Sequence, residues 1–547
     1  MYYLTSISKK NYRAKSLLAG AAVLFSGALL TACGQSKGAS EKQILNWMTS
    51  AEIITMDPSK ATDATSFTQM ENTMEGLYQL DKDNQAKEAL ATKAAQSKDG
   101  LTWTFDLRKD GKWSNGQAVT AKDFVYSWQR TVNPKTASQY SYIFSGIKNA
   151  DAIVAGKKAP SSLGVKALGK HKLQVKLDHK LPYFKLLLAF PVFFPENQTA
   201  VEKYGSKFGT SSKTTVFNGP FVQKGWAGAN LSWKMVKNKN YWNKSAVKLA
   251  QINFMVEKSP STAYNLYQDG KLDTAILSAQ AAKNLQKQAG YVIRKNNGTT
   301  YMQFNTKLAK FKSTKLRQAV SMALDRKALA KTLGGGFTGA TTFTAADMTK
   351  VDGQDFTQLA QDKTTKQITS YHKTLAQKTF KEALKDLQLK KLSFTLLTAD
   401  DDSSKAIGEY IQSALETAFG KQVSVKVQSL PTKSQFAKMD SGNFEACVSG
   451  WNADFADPIS FLDCMTSTNG YNSGKWSNKQ YDQLIAKSKT VTSSSQRMQL
   501  LAKAENILMT DQGVTPLVQS GSAWMLNTKV KGLIYNGSYY FEYAYLQ

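Results

Sequence analysis

Three Cys and three His in 547 residues leave little material for a metal centre or a disulfide scaffold. The histidines do not help. His171 and His179 lie in a Lys-rich, strand-like region and His372 stands alone beside Tyr371, so no zinc-ligand spacing and no Ser-His-Asp arrangement forms in the sequence. They read as surface residues. Arginine is scarce as well: Arg13, Arg108, Arg130, Arg294, Arg317, Arg326 and Arg497 are all there are. The formal charge of +30, from 71 Lys plus Arg against 41 Asp plus Glu, is therefore almost wholly lysine. Bidentate phosphate and base recognition favours Arg, and no basic run is interleaved with aromatics, so nucleic acid is not the expected partner. Lysines scattered over solvated faces account for the charge and attract the chain to an anionic surface.

Two further motifs fall short of a site. The Gly334–Gly336 triplet has no Gly-Lys-Ser/Thr after it, so it reads as a helix C-cap and loop rather than a phosphate cradle. Asp400, Asp401 and Asp402 lack the later Gly and Glu of a calcium loop and read as the acidic start of a helix. No catalytic residue and no metal site is assigned. Cys447 and Cys464 fit either a disulfide or buried thiols.

What is present is apolar mass: 42% hydrophobic and 11% aromatic residues exclude a disordered chain, and the length allows three or four units. Lys9, Lys10, Arg13 and Lys15 precede an apolar stretch from Ser16 to Ala32, the pattern of an export signal. It is shorter than the about 20 apolar residues a spanning helix needs. Its end, Leu30 to Cys33, resembles the bacterial lipobox, which implies removal of residues 1–32 and lipid attachment at Cys33. Residues 33–41, rich in Gly and Ser, read as a tether.

Beyond it, strand and helix signals alternate in a mixed α/β pattern. Leu101 to Gly116 reads as a hairpin, with Trp103, Phe105 and Leu107 at period two. Thr120 and Asp123 offer a capping-box start for a helix that buries Phe124 and Trp128 and stops before Pro134. One helix is expected over Leu316–Leu333, with Leu316, Val320, Leu324 and Ala328 on its core stripe, and another through Ile407, Ile411, Leu415 and Phe419 to Gly420. Leu392–Thr398 and Val423–Val427 read as strands.

Several segments together resemble one family. They are EGLYQLDKD (Glu75 to Asp83), the stretch from Asp99 to Ser138, LGVKAL (Leu163 to Leu168), NGPF (Asn218 to Phe221), YMQFNT (Tyr301 to Thr306) and GWNADFADPISFL (Gly450 to Leu462). In order and spacing they are similar to the oligopeptide-binding lipoproteins of ABC importers, within the peptide- and nickel-binding branch of the extracellular solute-binding proteins. The resemblance implies a type II, two-lobed clamp with an additional inserted domain. Lobe I would comprise residues 42–73, 215–300 and 515–547, the inserted domain 74–214, and lobe II 301–514. It further implies an oligopeptide ligand held between the lobes, delivery to permease subunits served by cytoplasmic ATPases, a membrane anchor at Cys33, no cofactor and action as a monomer on the outer face of the cell membrane.

The resemblance also suggests site residues. Asp454 would pair with the peptide's α-amino group, the backbone of Gly450 and Asn452 would bond the extended peptide, and Trp451 would wall a side-chain pocket. Ala64 would face the opposite edge of the peptide, with Tyr140 and Tyr301 nearby. One departure stands out: Val448 occupies the place, three before the Trp, where short-peptide binders carry a basic residue for the peptide's carboxylate. Longer or variable peptides are therefore expected. A signalling-peptide receptor or a chelate binder would share these features. A surface hydrolase or an adhesin would rest on other residues, a nucleophile in the first case and the basic surface in the second.

Overall fold

The computed structural model describes residues 43–547 apart from Asp83, Pro182, Asp352 and Thr492. The export signal, the tether and Cys33 lie outside the described residues. Among those described, no helix is long and apolar enough to cross a membrane.

Alternating burial builds the first sheet. Leu45 and Trp47 are buried along Ile44–Thr49, which pairs in parallel with Gln251–Val256, and Ser232–Lys237 and Phe221–Lys224 add antiparallel strands. Between Thr49 and Phe221 the chain makes a second four-stranded antiparallel sheet, ordered Ala91–Gln96, Thr102–Leu107, Lys172–Lys176, Val165–Gly169. Here the expected hairpin is half right. Thr102–Leu107 is a strand, with Trp103 stacked on Phe105 at 6.0 Å, but it pairs with the strands before it and at 172–176. The alternation ends at Leu107 because Trp113, only 1% exposed, is buried from a loop and turns the following segment away from the ladder.

The helix Ala121–Val132 follows as its sequence requires: the Asp123 carboxylate accepts the Thr120 N–H at 2.7 Å, and Phe124 and Trp128 are fully buried. Trp128 also donates Nε1–H to the Phe193 carbonyl at 2.9 Å, so its burial leaves no donor unsatisfied.

A seven-stranded sheet forms the largest layer. Its order is Thr274–Ile276, Thr515–Leu526, Tyr291–Phe304, Ala446–Asn452, Leu392–Ala399, Val423–Leu430, with Thr338–Gly339 also on Thr515–Leu526. The last three in that order are mutually parallel; the other pairs are antiparallel. Helix Asp402–Phe419 covers the parallel part with Ile407, Ile411 and Leu415, and Gly408 lets it approach, since a Cβ there would stand 2.9 Å from the Thr398 methyl. Asp401 caps this helix by accepting Ser404 N–H at 3.0 Å, and Gly420 ends it at φ +57°, as expected from sequence.

The long helix expected over Leu316–Leu333 is two helices, Thr314–Met322 and Arg326–Leu333. Asp325 breaks it by capping the second, accepting N–H from Lys327 and Ala328, both at 3.0 Å. The turn shifts the stripe: Ala328 is exposed, and Leu329 and Ala330 are buried in its place. Gly334 at φ +62° is the C-cap that the sequence indicated. Cys447 and Cys464 are buried free thiols.

Candidate functional site

Strand Ala446–Asn452 carries the site because only half of its outer edge is used. Along one side it pairs with residues 298–304, whereas along the other the ladder to Leu392–Ala399 stops after Ala446 and Cys447. Gln435 donates to the Val448 carbonyl at 2.7 Å and closes that position. From Ser449 onward the backbone faces a cavity of about 570 Å³, within the range of small-ligand and cofactor pockets. An unpaired strand edge is a template for another extended chain. Gly450 widens it: nothing lies closer than 4.0 Å to where a Cβ would stand.

At the end of this edge the chain turns and presents Asp454. Its N–H is anchored on Ser460 Oγ at 2.8 Å, and Oδ1 accepts the Tyr140 hydroxyl at 3.0 Å. Oδ2 is shielded from water and has no hydrogen-bond partner among the described residues. Burial pushes this carboxyl up to about 8, against smaller lowering by Tyr140 and Ser460. The site thus holds an acceptor with an open place for a donor.

Aromatic rings wall that place. Tyr140, buried in the short helical turn Gln139–Phe144, contacts Trp451 at 6.2 Å and Tyr471 at 5.0 Å. Trp451 fixes its ring by donating Nε1–H to the Ser460 carbonyl at 2.8 Å. Asn452, exposed to the cavity, lies over Gly298, where any Cβ would collide with the Asn452 side chain. On the far wall, Ala64 is exposed and opens the helix Ala64–Thr73, so what it offers is a helix-start N–H and not an extended edge. Tyr301 is placed elsewhere: it is buried edge-on against Phe343 at 5.1 Å and does not line the cavity.

Sequence reading missed three residues of the site, two that line the cavity and one that backs its ring cluster. Asp63 and Glu71 flank and end the exposed side of helix Ala64–Thr73, and Tyr471 completes the ring cluster. Glu71 accepts the Ser538 and Tyr540 hydroxyls, and burial pushes its carboxyl up to about 7. The available signal was the helix itself, whose buried residues include Ser66, Gln69 and Asn72; a short helix polar on its inner side points to a wet interior.

A two-lobed α/β clamp, with a free strand edge and a carboxylate facing an internal cavity, is the architecture of a solute-binding protein. The chain belongs to the bacterial extracellular solute-binding proteins, family 5, whose middle-segment profile matches residues 85–473. Among its relatives is the dipeptide-binding protein of Lactococcus lactis subsp. cremoris, 38% identical over 495 residues, 88% of either chain. Listeria monocytogenes OppA bound to peptide superposes with a TM-score of 0.89 at 36% identity, over 93% of this chain and 100% of that one. The pheromone receptor PrgZ does so with a TM-score of 0.88 at 34% identity, over 92% and 100%.

Proposed function

We propose that this protein is a lipid-anchored extracellular receptor that captures oligopeptides and hands them to the permease of an ABC importer. The observation that carries the reading is the pairing of a free backbone edge, residues 449–452, with the open Oδ2 of Asp454. All peptides share a backbone and an α-ammonium, and these two features match them. The ladder edge gives sequence-independent hydrogen bonds; the desolvated carboxylate gives a charge-assisted one at a fixed end. Trp451, Tyr140 and the cavity beyond them receive side chains without dictating them.

Among the described residues no Lys, Arg or His lines the cavity, and Val448 stands where a cation would meet a short peptide's carboxylate. The carboxyl end is then unheld and ligand length is variable. The lobe boundaries proposed from sequence suit a hinge. The boundary at residue 300 falls inside strand Tyr291–Phe304, where the register against Thr515–Leu526 slips between Lys295 and Thr299 and again between Thr300 and Tyr301. Two strands crossing side by side with an interrupted ladder bend more easily than a continuous one. Cys33 would hold the receptor at the membrane. The likeness to PrgZ favours one variant of this reading, in which the captured peptide is a signal instead of a nutrient.

Native mass spectrometry of the chain lacking residues 1–33, followed by denaturation and sequencing of what is released, tests the proposal. Heterogeneous peptides that disappear in Asp454→Ala are expected. A chain that binds no member of a peptide library, or an Asp454→Ala variant that binds as well as wild type, overturns it.

A further inference from the structure

Among the described residues, four ionisable side chains apart from tyrosines line the cavity of this strongly basic chain, and all four are acids: Asp63, Glu71, Asp401 and Asp454. Two are occupied. Glu71 accepts two hydroxyls, and Asp401 spends an oxygen on the cap of helix Asp402–Phe419. Asp63 differs. Its Oδ1 accepts Ser66 N–H at 2.8 Å and caps helix Ala64–Thr73, while its Oδ2 is shielded from water and, among the described residues, has no hydrogen-bond partner. The residue is 8% exposed and lines the cavity.

Asp63 shares the cavity with Asp454, and a ring contact links the two. Phe67, one turn along the same helix, packs edge-on at 5.5 Å on Tyr140, whose hydroxyl reaches Asp454. The phenol of Tyr471, which packs edge-on against Tyr140 at 5.0 Å, is held well above its ordinary value by burial first and Asp454 next, with Asp63 a smaller contributor. Two enclosed acceptors therefore flank one ring cluster, and an α-ammonium on Asp454 answers only one of them. Leaving the second without a counter-charge is costly in an enclosed site.

Resting on the reading of Asp454 as the amino-terminal acceptor, we propose that Asp63 is a specificity residue that receives a basic side chain, Lys or Arg, from one of the first residues of the bound peptide. The site then selects peptides that carry two positive charges near their amino terminus. A neutral side chain leaves Asp63 Oδ2 unpaired, and an acidic one adds repulsion.

The test is calorimetric titration of tripeptides in which Ala-Ala-Ala carries Lys or Glu at the first, second or third position, against wild type and Asp63→Asn. Asn keeps the helix cap, so the substitution removes charge and little else. In wild type, Lys at one position should bind roughly 10-fold tighter than Ala, the worth of one charge-assisted bond, and Glu more weakly. In Asp63→Asn the Lys advantage should fall to within about 2-fold, with Ala-Ala-Ala held near its wild-type affinity. A Lys advantage that survives Asp63→Asn, no advantage in wild type, or an equal loss for every peptide overturns the inference while leaving peptide binding itself intact. If wild type binds none of the peptides, the reading of Asp454 falls and this one with it.

Discussion

In the proposed reading, Asp454 recognises an ammonium because its own negative charge is disfavoured in the empty site. Enclosure holds its carboxyl near 8, whereas in the unfolded chain it titrates near 3.8, so between these values the empty fold keeps a proton that the unfolded chain has released. The sign follows: this residue's contribution to stability is full below the unfolded value and is lost as pH rises toward 8. An incoming α-ammonium reverses the preference, since it pairs with the carboxylate and not with the acid. Peptide binding at about pH 6.5, where the ligand amine is already charged, should thus release close to one proton, crossing zero near pH 8 and turning into net uptake by about pH 9, where the ligand's own amine must gain a proton to pair. Titration calorimetry in buffers of different ionisation enthalpy reads the number directly. In Asp454→Asn the release should vanish, and affinity should fall roughly 100-fold, the cost of removing one side of an enclosed charge pair. Proton release that persists in Asp454→Asn would assign it to another group.

At the level of elements, the chain announced itself where local rules and packing agree. Helices Ala121–Val132 and Asp402–Phe419 carry cap, stripe and stop in one window, and the structure has them. The GWNADF segment offered its candidates together for a different reason: strand, turn and carboxylate are contiguous, so one resemblance suggested Gly450, Trp451, Asn452 and Asp454 at once, and the structure has all four lining one cavity. Asp63 and Glu71 were not legible, because only the tertiary fold brings them to the cavity of Asp454 across hundreds of residues, and Tyr471, though close in sequence, lies outside that segment. Tyr301 shows the converse, a family position whose side chain here packs into the core.

The misread helix over 316–333 has an energetic lesson. Apolar periodicity ran on through Leu324, but Asp325 offers the following N–H groups better acceptance as a cap than as an interior residue. Asp325→Ala should destabilise the fold by about 1 kcal/mol, seen as a lower denaturant midpoint at unchanged slope. Asp325→Asn should restore most of it, because Asn caps nearly as well. If Ala at this position is neutral, the break is set by packing of Leu324 and Leu329 and not by the cap.

Across the whole molecule the question is what holds the clamp shut. Lys258, just past strand Gln251–Val256 in the proposed lobe I, bridges Glu52 at 2.9 Å and Asp400 at 2.8 Å, and Asp400 belongs to the proposed lobe II. Ser50, Ala51, Ala399 and Asp401 place this triad at the rim of the cavity. Each side chain of the triad is about a quarter exposed, so screening limits the bridge to about 1 kcal/mol. That is enough to matter kinetically. An ion pair that exists only when the lobes meet stabilises the closed complex and not the encounter, so it acts on release. Trp451 and Trp524 line the cavity and supply a fluorescence signal for stopped-flow work. Lys258→Met should release peptide roughly 5-fold faster with association nearly unchanged, and added salt should speed wild-type release toward the variant's rate. Equal release rates for the two proteins would mean that closure is held by the ligand's own contacts along residues 449–454, and that the rim contributes shape alone.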